Sequence, residues 1–555
     1  MADIEGDTAP SRPSLGRASL IMASGTAVSR VLGFVRNALL VAAIGVNAYA
    51  ANAFDVANKI PNALYAVLAA GVINSVLVPQ IVRAFHRPDG KRTVDRIVTW
   101  GLALSFGVTL IFTAGASIAV VMYSSGWGAE QRALATGFAL WVIPQLFFYA
   151  AYTILGQVLN AKEQFGPYMW APVLNNVVAI AGLLIYLGIY GGYAASTDDP
   201  SEWGSERIAL LAGTATLGIA SQALILLWPL LRGGYRPRMV WGGPKGELSV
   251  VRTVAGWALA AVAVEQVGVL YATRVTSSAN PGGLDPAIAG NAAYFQALAL
   301  YLVPHSLITV SIATALTTTM SRHYTEGDLP ALRGDVSRGL RVIATFTFFA
   351  TAALIVLAPW MVRLALPTVT PTVVQSVANV VIALAIGLVP LGAMVLVKRV
   401  YYVLEDAKGI FYIHIPMALT WMVVAFASQQ LLAPAWWTVG AALGMAASNV
   451  VGMALRSRGL HRRLGGLDGR RVTRVHLLSA VAAVVAGGVG WALVQAFPDV
   501  ADITRSQVFV MAPLVLVAVA LGMAIAYSAV LWITRVQEFR DLVEMITRRF
   551  RRRVR

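Results

Sequence analysis

The sequence predicts an all-α polytopic membrane protein with about 14 transmembrane helices: two six-helix lobes related by a pseudo-twofold along the membrane normal, plus two C-terminal helices. Three observations carry that expectation. Hydrophobic residues make up 58% of the 555 and charged residues 12%, about half the charged share of a soluble protein. Apolar runs of about 20 residues, each long enough to cross ~30 Å of hydrocarbon, recur along the chain. Lysine and arginine concentrate in alternate connections between those runs.

In order, residues 1–16 are polar and hold Pro10, Pro13 and three acids, which predicts a disordered cytoplasmic tail. The segment lacks the charged-then-apolar pattern of a signal peptide. Residues 17–232 hold the first six apolar runs and form an expected N-lobe; residues 250–455 hold the next six and form a C-lobe. A final pair of runs occupies 475–534, and 535–555 is a basic cytoplasmic tail.

Most of the 43 basic residues fall in the segments 83–96, 232–252, 322–341, 398–408, 456–474 and 535–555, all on one side of the membrane in this reading. Arg132, Arg207, Arg274, Arg363 and Arg505 fall on the other. The positive-inside rule then puts both termini in the cytoplasm. Placement of this kind accounts for the net charge of +17 without a nucleic-acid partner. The run from Arg548 to Arg555 reads as a topology determinant resting on anionic membrane lipids, with partner binding as the alternative. Trp436 and Trp437 read as an interfacial belt.

A weak internal repeat supports the two lobes. Residues 159–165 (LNAKEQF) resemble 404–411 (LEDAKGIF), at the fourth-to-fifth and tenth-to-eleventh connections. An offset of six helices preserves direction and so implies an axis along the membrane normal.

Two stretches carry charge where hydrocarbon does not tolerate it. At about 100° per residue, Thr26, Ser29, Arg30, Gly33, Arg36 and Asn37 share a sector of roughly 120° in the first helix. Asn52, Asp55, Asn58, Lys59 and Asn62 share a similar sector in the second, with Pro61 placed to bend it. Two such stripes facing each other would make a net-cationic wall. An Arg at the bilayer centre costs roughly 3 kcal/mol, which a water-filled cavity or an anionic guest would remove. Arg30 and Arg36 therefore either line a cavity or pair with backbone carbonyls at a break near Gly33. Lys59 either joins that wall or forms a helical ion pair with Asp55, four residues before it. The asparagines either bond a substrate or cross-link helices.

Glu265 is the lone acid inside the second lobe. It either titrates or holds Na⁺, coupling transport to an ion gradient, or remains a hydrogen-bonded carboxylic acid. His414 reads as packed rather than as a proton relay. Cysteine is absent, which excludes disulfides and thiolate metal sites. The chain carries no phosphate loop, no His-Glu-x-x-His and no Ser/His/Asp frame. Neither ATP hydrolysis nor covalent catalysis is expected, and no metal or cofactor beyond Na⁺ or H⁺ as a coupling ion.

Ser29-Arg30-Val31-Leu32-Gly33-Phe34-Val35-Arg36, Asn52-Ala53-Phe54 with Lys59-Ile60-Pro61-Asn62, Val78-Pro79, Val158-Leu159-Asn160-Ala161 and Ala171-Pro172-Val173-Leu174-Asn175-Asn176 resemble the MurJ/MviN lipid II flippases of bacterial peptidoglycan synthesis. That family belongs to the multidrug/oligosaccharidyl-lipid/polysaccharide exporter superfamily, and the wording around Asn52 and Tyr65 resembles its actinobacterial members. The resemblance spans essentially the whole chain. It implies a plasma-membrane flippase that moves lipid II, an undecaprenyl diphosphate-linked precursor, by alternating access. Cell-wall synthesis proteins would be further partners.

The implied substrate residues are Arg30, Arg36 and Lys59, with Asn52, Asp55, Asn62 and Ser29 around them. Glu265 and Asp406 are the implied ion-coupling acids, and the last two helices, with Gly487, Gly488 and Gly490, the groove for the lipid tail. The chain departs from Gram-negative members at Tyr65, Ala66 and Ala70, where they carry an Arg pair and a Glu, and between Tyr294 and Pro304, where they carry an Arg. Asn37 stands where some members have an acid. The rival readings are a multidrug or other polysaccharide-lipid exporter of the same superfamily, and a non-transporting cell-wall scaffold.

Overall fold

Fourteen helical segments follow one another in the places the apolar runs predict, and a fifteenth helix closes the chain. The computed structural model describes residues 15–69, 81, 84, 90–194, 199–242, 249–283 and 285–553, with no strand among them. The first half comprises α1 (Leu15–Ile44), α2 (Tyr49–Leu68), α3 (Gly90–Ala114, continued by Ala116–Tyr123), α4 (Ala129–Ala161), α5 (Phe165–Tyr190) and α6 (Ser205–Arg232). The second half comprises α7 (Ser249–Ala279), α8 (Asn291–Thr325), α9 (Leu329–Ala365), α10 (Pro371–Ala385 with Leu388–Val403), α11 (Ala407–Leu431) and α12 (Pro434–Arg463). α13 (Gly469–Val494), α14 (Arg505–Ile533) and α15 (Gln537–Arg553) follow.

Twelve of these are long and apolar enough to span a bilayer, and α10 makes a thirteenth as a pair bent by 47°. α2 occupies the position of the remaining expected span, but its stripe of Asn52, Asp55, Asn58, Lys59 and Asn62 keeps it out of that class. The expected disordered tail, Ala70 and Val78-Pro79 lie outside the described residues.

The repeat is real, in a different register from the one the letters suggest. Glu163 and Glu405 both take positive φ, 59° and 55°. After α4 and α10 the chain makes the same turn: the amide of Gln164 donates to Leu159 O, and that of Asp406 to Tyr401 O, each at 2.9 Å. Both turns satisfy carbonyls left over at a helix end, so Glu163 superposes on Glu405 and Gln164 on Asp406. α4 and α10 are also both broken mid-span, at Ile143–Pro144 and at Ile386–Gly387.

α13 and α14 pack on each other and against α9, on the flank of the second lobe. A Cβ at Gly490 would lie 2.6 Å from Met523 Sδ, and one at Gly522 2.3 Å from Leu493 Cδ1, so these two glycines set the helix approach. Gly487 and Gly488 face open space and play no part in it. The basic tail begins as a docked helix: Glu538 of α15 pairs with Arg341 of α9, both nearly buried, and Arg471 donates to Gln537 Oε1 at 2.6 Å.

Glu538→Ala leaves the Arg341 charge without its partner and is expected to cost about 3 kcal/mol. The readout is a lower midpoint of thermal unfolding than that of Arg341→Met/Glu538→Leu, which removes both charges.

Candidate functional site

The two lobes are joined at one end of the molecule and separate toward the other. Asn47, in the turn after α1, donates to Pro286 O at 2.7 Å and Ser376 Oγ at 2.8 Å. Trp127 Nε1 donates to Ser277 O, Ser277 Oγ to Tyr123 O, and Arg274 to the carbonyls of Val121 and Met122. Two glycines permit the close approach: a Cβ at Gly283 (φ 64°) would sit 2.5 Å from Tyr49 N, and one at Gly290 2.6 Å from Asn52 Oδ1. Farther in, Asn37 and Gln296 exchange hydrogen bonds, and Arg30 Nη1 donates to Ser306 Oγ at 3.3 Å. These hydrogen bonds between the lobes run from the sealed end as far as Arg30. The cleft therefore opens toward the end that carries the basic connections.

Arg30 faces this cleft, since its one hydrogen bond reaches across to α8. Arg36 makes neither hydrogen bond nor ion pair with a described residue; its charged neighbourhood is Tyr149 of α4, whose ring packs on Tyr65 of α2 at 5.4 Å. No described carboxylate lies within ion-pair distance of either arginine. Their Cα atoms are about 10 Å apart by helix geometry, so both side chains can reach one diphosphate. Val31, Phe34 and Val35 on the other side of α1 are exposed, as a lipid-facing surface requires. The expected break near Gly33 does not occur: α1 is continuous through it.

The middle of the α1 stripe has a packing task. Asn176 of α5 donates to both the carbonyl and the Oγ of Ser29, at 2.8 and 3.1 Å, which ties α1 to α5. The two polar stripes do not face each other. α2 meets the apolar end of α1, and between them and α8 lies a small cavity of about 80 Å³ lined by Leu40, Asp55, Asn58, Lys59, Asn62 and Gln296, among others.

Within it Lys59 Nζ is 2.6 Å from Asp55 Oδ2, so the pair contributes no net charge. Asn62 donates to Asn58 O at 2.7 Å and keeps its carbonyl group for a guest. Asn52 is buried and spent: its Nδ2 bonds Ala48 O, and its Oδ1 accepts from the amide of Ala292 at 3.1 Å. It belongs to the seal between lobes.

The two acids singled out in the second lobe stand apart. Asp406 caps α11, accepting from Gly409 N at 2.8 Å, and pairs with Arg463 at 2.6 Å. Its turn at the helix connection, repeated at Gln164, accounts for its place. Glu265 lines a cavity of about 220 Å³ inside the second lobe with Lys398, His414 and Arg456. No group of three or more His, Cys, Asp or Glu residues that could hold a metal occurs among the described residues. Arg456 escaped the sequence reading because it follows the twelfth apolar run, where it counts as a loop residue. The signal available was His414, a polar side chain in mid-span that needed a partner.

A family profile described as "Lipid II flippase MurJ" matches residues 40–511. A curated relative from Vibrio cholerae, a probable lipid II flippase MurJ, is 26% identical over 497 residues, covering 86% of this chain and 89% of its own. The lipid II flippase MurJ of Burkholderia cenocepacia is 27% identical over 474 residues, covering 81% and 85%. Among solved structures, the inward closed conformation of lipid II flippase MurJ matches with a TM-score of 0.68 at 16% identity, over 91% of this chain and 98% of that one. An inward-facing multidrug resistance MATE transporter matches with a TM-score of 0.63 at 13% identity, over 81% and 99%.

The chain lacks cysteine, so Asn47→Cys with Ser376→Cys can be read against no background. Oxidation is expected to crosslink the pair in nearly all molecules, seen as a gel shift reversed by reductant; absence of a crosslink would contradict the sealed end.

Proposed function

The chain belongs to the lipid II flippase MurJ family, and on that premise we propose that it carries lipid II across the bacterial inner membrane with the diphosphate seated on Arg30 and Arg36. The observation that carries this reading is that both guanidinium groups lie at membrane depth with no carboxylate beside them. A planar donor fork that cannot lose its proton matches phosphate oxygens bidentately, and an anion there offsets the roughly 3 kcal/mol that an Arg costs at the bilayer centre. Lys59 acts with Asp55 as a polar, neutral pair beneath the diphosphate. Asn58, Asn62 and Gln296 offer hydrogen bonds to sugar or peptide.

The termini are taken as cytoplasmic from the charge pattern, so the cleft opens inward and the sealed end is the outer one. Apart from Arg274, the hydrogen bonds of the seal are neutral, each worth ~1 kcal/mol net, and apolar contacts of Val41, Val46 and Ala292 across the lobes complete it. Rocking of the lobes would break these contacts and expose the head group outside. The lipid tail would stay in hydrocarbon along the groove of about 340 Å³ between α13 and α9, α10 and α12, lined by Phe348, Met453 and Leu477 among others. Glu265 is the candidate ion-coupling acid in this reading; vesicles under a proton or a sodium gradient separate H⁺ from Na⁺.

The MATE-like fold leaves a cation exporter as the second reading, but an unpaired cationic wall repels such a substrate. Arg30→Ala and Arg36→Ala are each expected to lower lipid II flipping in reconstituted vesicles at least tenfold, the equivalent of one charge-assisted hydrogen bond. Wild-type rates in both variants would refute the proposal.

A further inference from the structure

The cavity inside the second lobe is built around a charge that the protein does not satisfy. Arg456 of α12 is 1% exposed. Its Nη2 donates to His414 Nε2 at 2.8 Å; its Nε and Nη1 have no hydrogen-bond partner. A guanidinium can only donate, so His414 accepts at Nε2 and carries its proton on Nδ1, 3.8 Å from Glu265 Oε2. His414 is thereby neutral in this arrangement and brings no charge of its own.

Lys398 of α10 lines the same cavity and has no ion pair among the described residues. Glu265, the one acid present, is half exposed and lies within ion-pair distance of neither Arg456 nor Lys398. Two cations against one distant carboxylate leave a surplus of positive charge, with buried N–H donors waiting for an acceptor. Buried polar groups are almost always satisfied, and an unpaired buried charge is the costliest exception.

We propose that the second-lobe cavity walled by Arg456, Lys398 and His414 is a binding site for an organic oxyanion, a carboxylate or a phosphate. The guanidinium donors match the oxygens of either group. Lys398 adds a flexible charge, and Trp421, Met394, Met417 and Met445 supply apolar walls for the carbon skeleton. The volume of about 220 Å³ accommodates more than a bare ion. Glu265, at the rim, opposes the bound charge. The site stands on these contacts alone, whether its oxyanion is free in solution or carried on the head of the transported lipid.

Full-length protein in detergent is titrated with inorganic phosphate, sodium acetate and lipid II, against sodium chloride at matched ionic strength. Thermal unfolding and the emission change lost in Trp421→Phe report the free anions, and native mass spectrometry reports the lipid. Phosphate or acetate is expected to raise the unfolding midpoint of wild type, at least tenfold less potently in Lys398→Gln and not at all in Arg456→Gln. Glu265→Gln is expected to bind several-fold more tightly. Should Arg456→Gln fail to fold, Lys398→Gln carries the comparison.

A lipid II response weakened by Lys398→Gln without any response to the free anions assigns the oxyanion to the lipid head; a response to free anions alone assigns it to a soluble species. Two results overturn the site: no dependence of any probe on Lys398 or Arg456, or an anion response abolished by Arg30→Ala and untouched by Lys398→Gln. Lipid II retention that depends on Arg30, with no probe of any ligand depending on Lys398 or Arg456, removes this site and leaves the flippase reading standing.

Discussion

A guanidinium group cannot be neutralised by losing its proton, so wherever one lies at membrane depth the rest of the protein must supply an acceptor, water or a guest. That constraint organises this chain. Arg30 and Arg36 lie on one continuous helix whose opposite face is exposed and apolar. The helix can sit between lipid and cleft only if two lobes part on its polar side. The joined end, where Asn47, Asn52, Trp127 and Ser277 cross from one lobe to the other, leaves the arginines on the open side of the closure.

The polar residues of the first two helices divide into tasks that their common stripe does not reveal. Ser29 and Asn52 are consumed in holding helices together, Lys59 and Asp55 neutralise each other, and Arg30 and Arg36 remain without a carboxylate. A binding surface is what is left once packing has taken its share. This gives a physical sense to the division of labour: apart from Arg274 the hydrogen bonds of the seal are neutral, while Arg30 and Arg36 keep their charges on the open side of it.

Much of this was legible before any coordinates. Hydropathy and alternating charge placed the spans because the bilayer enforces length and the cytoplasm collects Lys and Arg. The repeat was legible as a turn after the fourth and tenth spans, but its register was not. Left-handed Glu163 and Glu405 are a backbone match, and the surrounding letters align four residues away from it. The pair Lys59–Asp55 was one of the two alternatives that helical spacing left open for Lys59, and the structure takes it.

What sequence could not supply was everything that depends on which helices meet. The seal bond from Asn52 to the amide of Ala292 and the burial of Arg456 against His414 join residues far apart in the chain. Asp406, with its helix cap and Arg463, shows that an acid near a lobe's interior can be fully occupied by local structure.

The central claim is that charge at membrane depth exists here to receive a phosphorylated lipid head. Native mass spectrometry of the purified protein, offered lipid II, undecaprenyl phosphate and a cationic dye together, tests it most directly. The account predicts that lipid II is retained in preference to both competitors; preferential retention of the dye would contradict it.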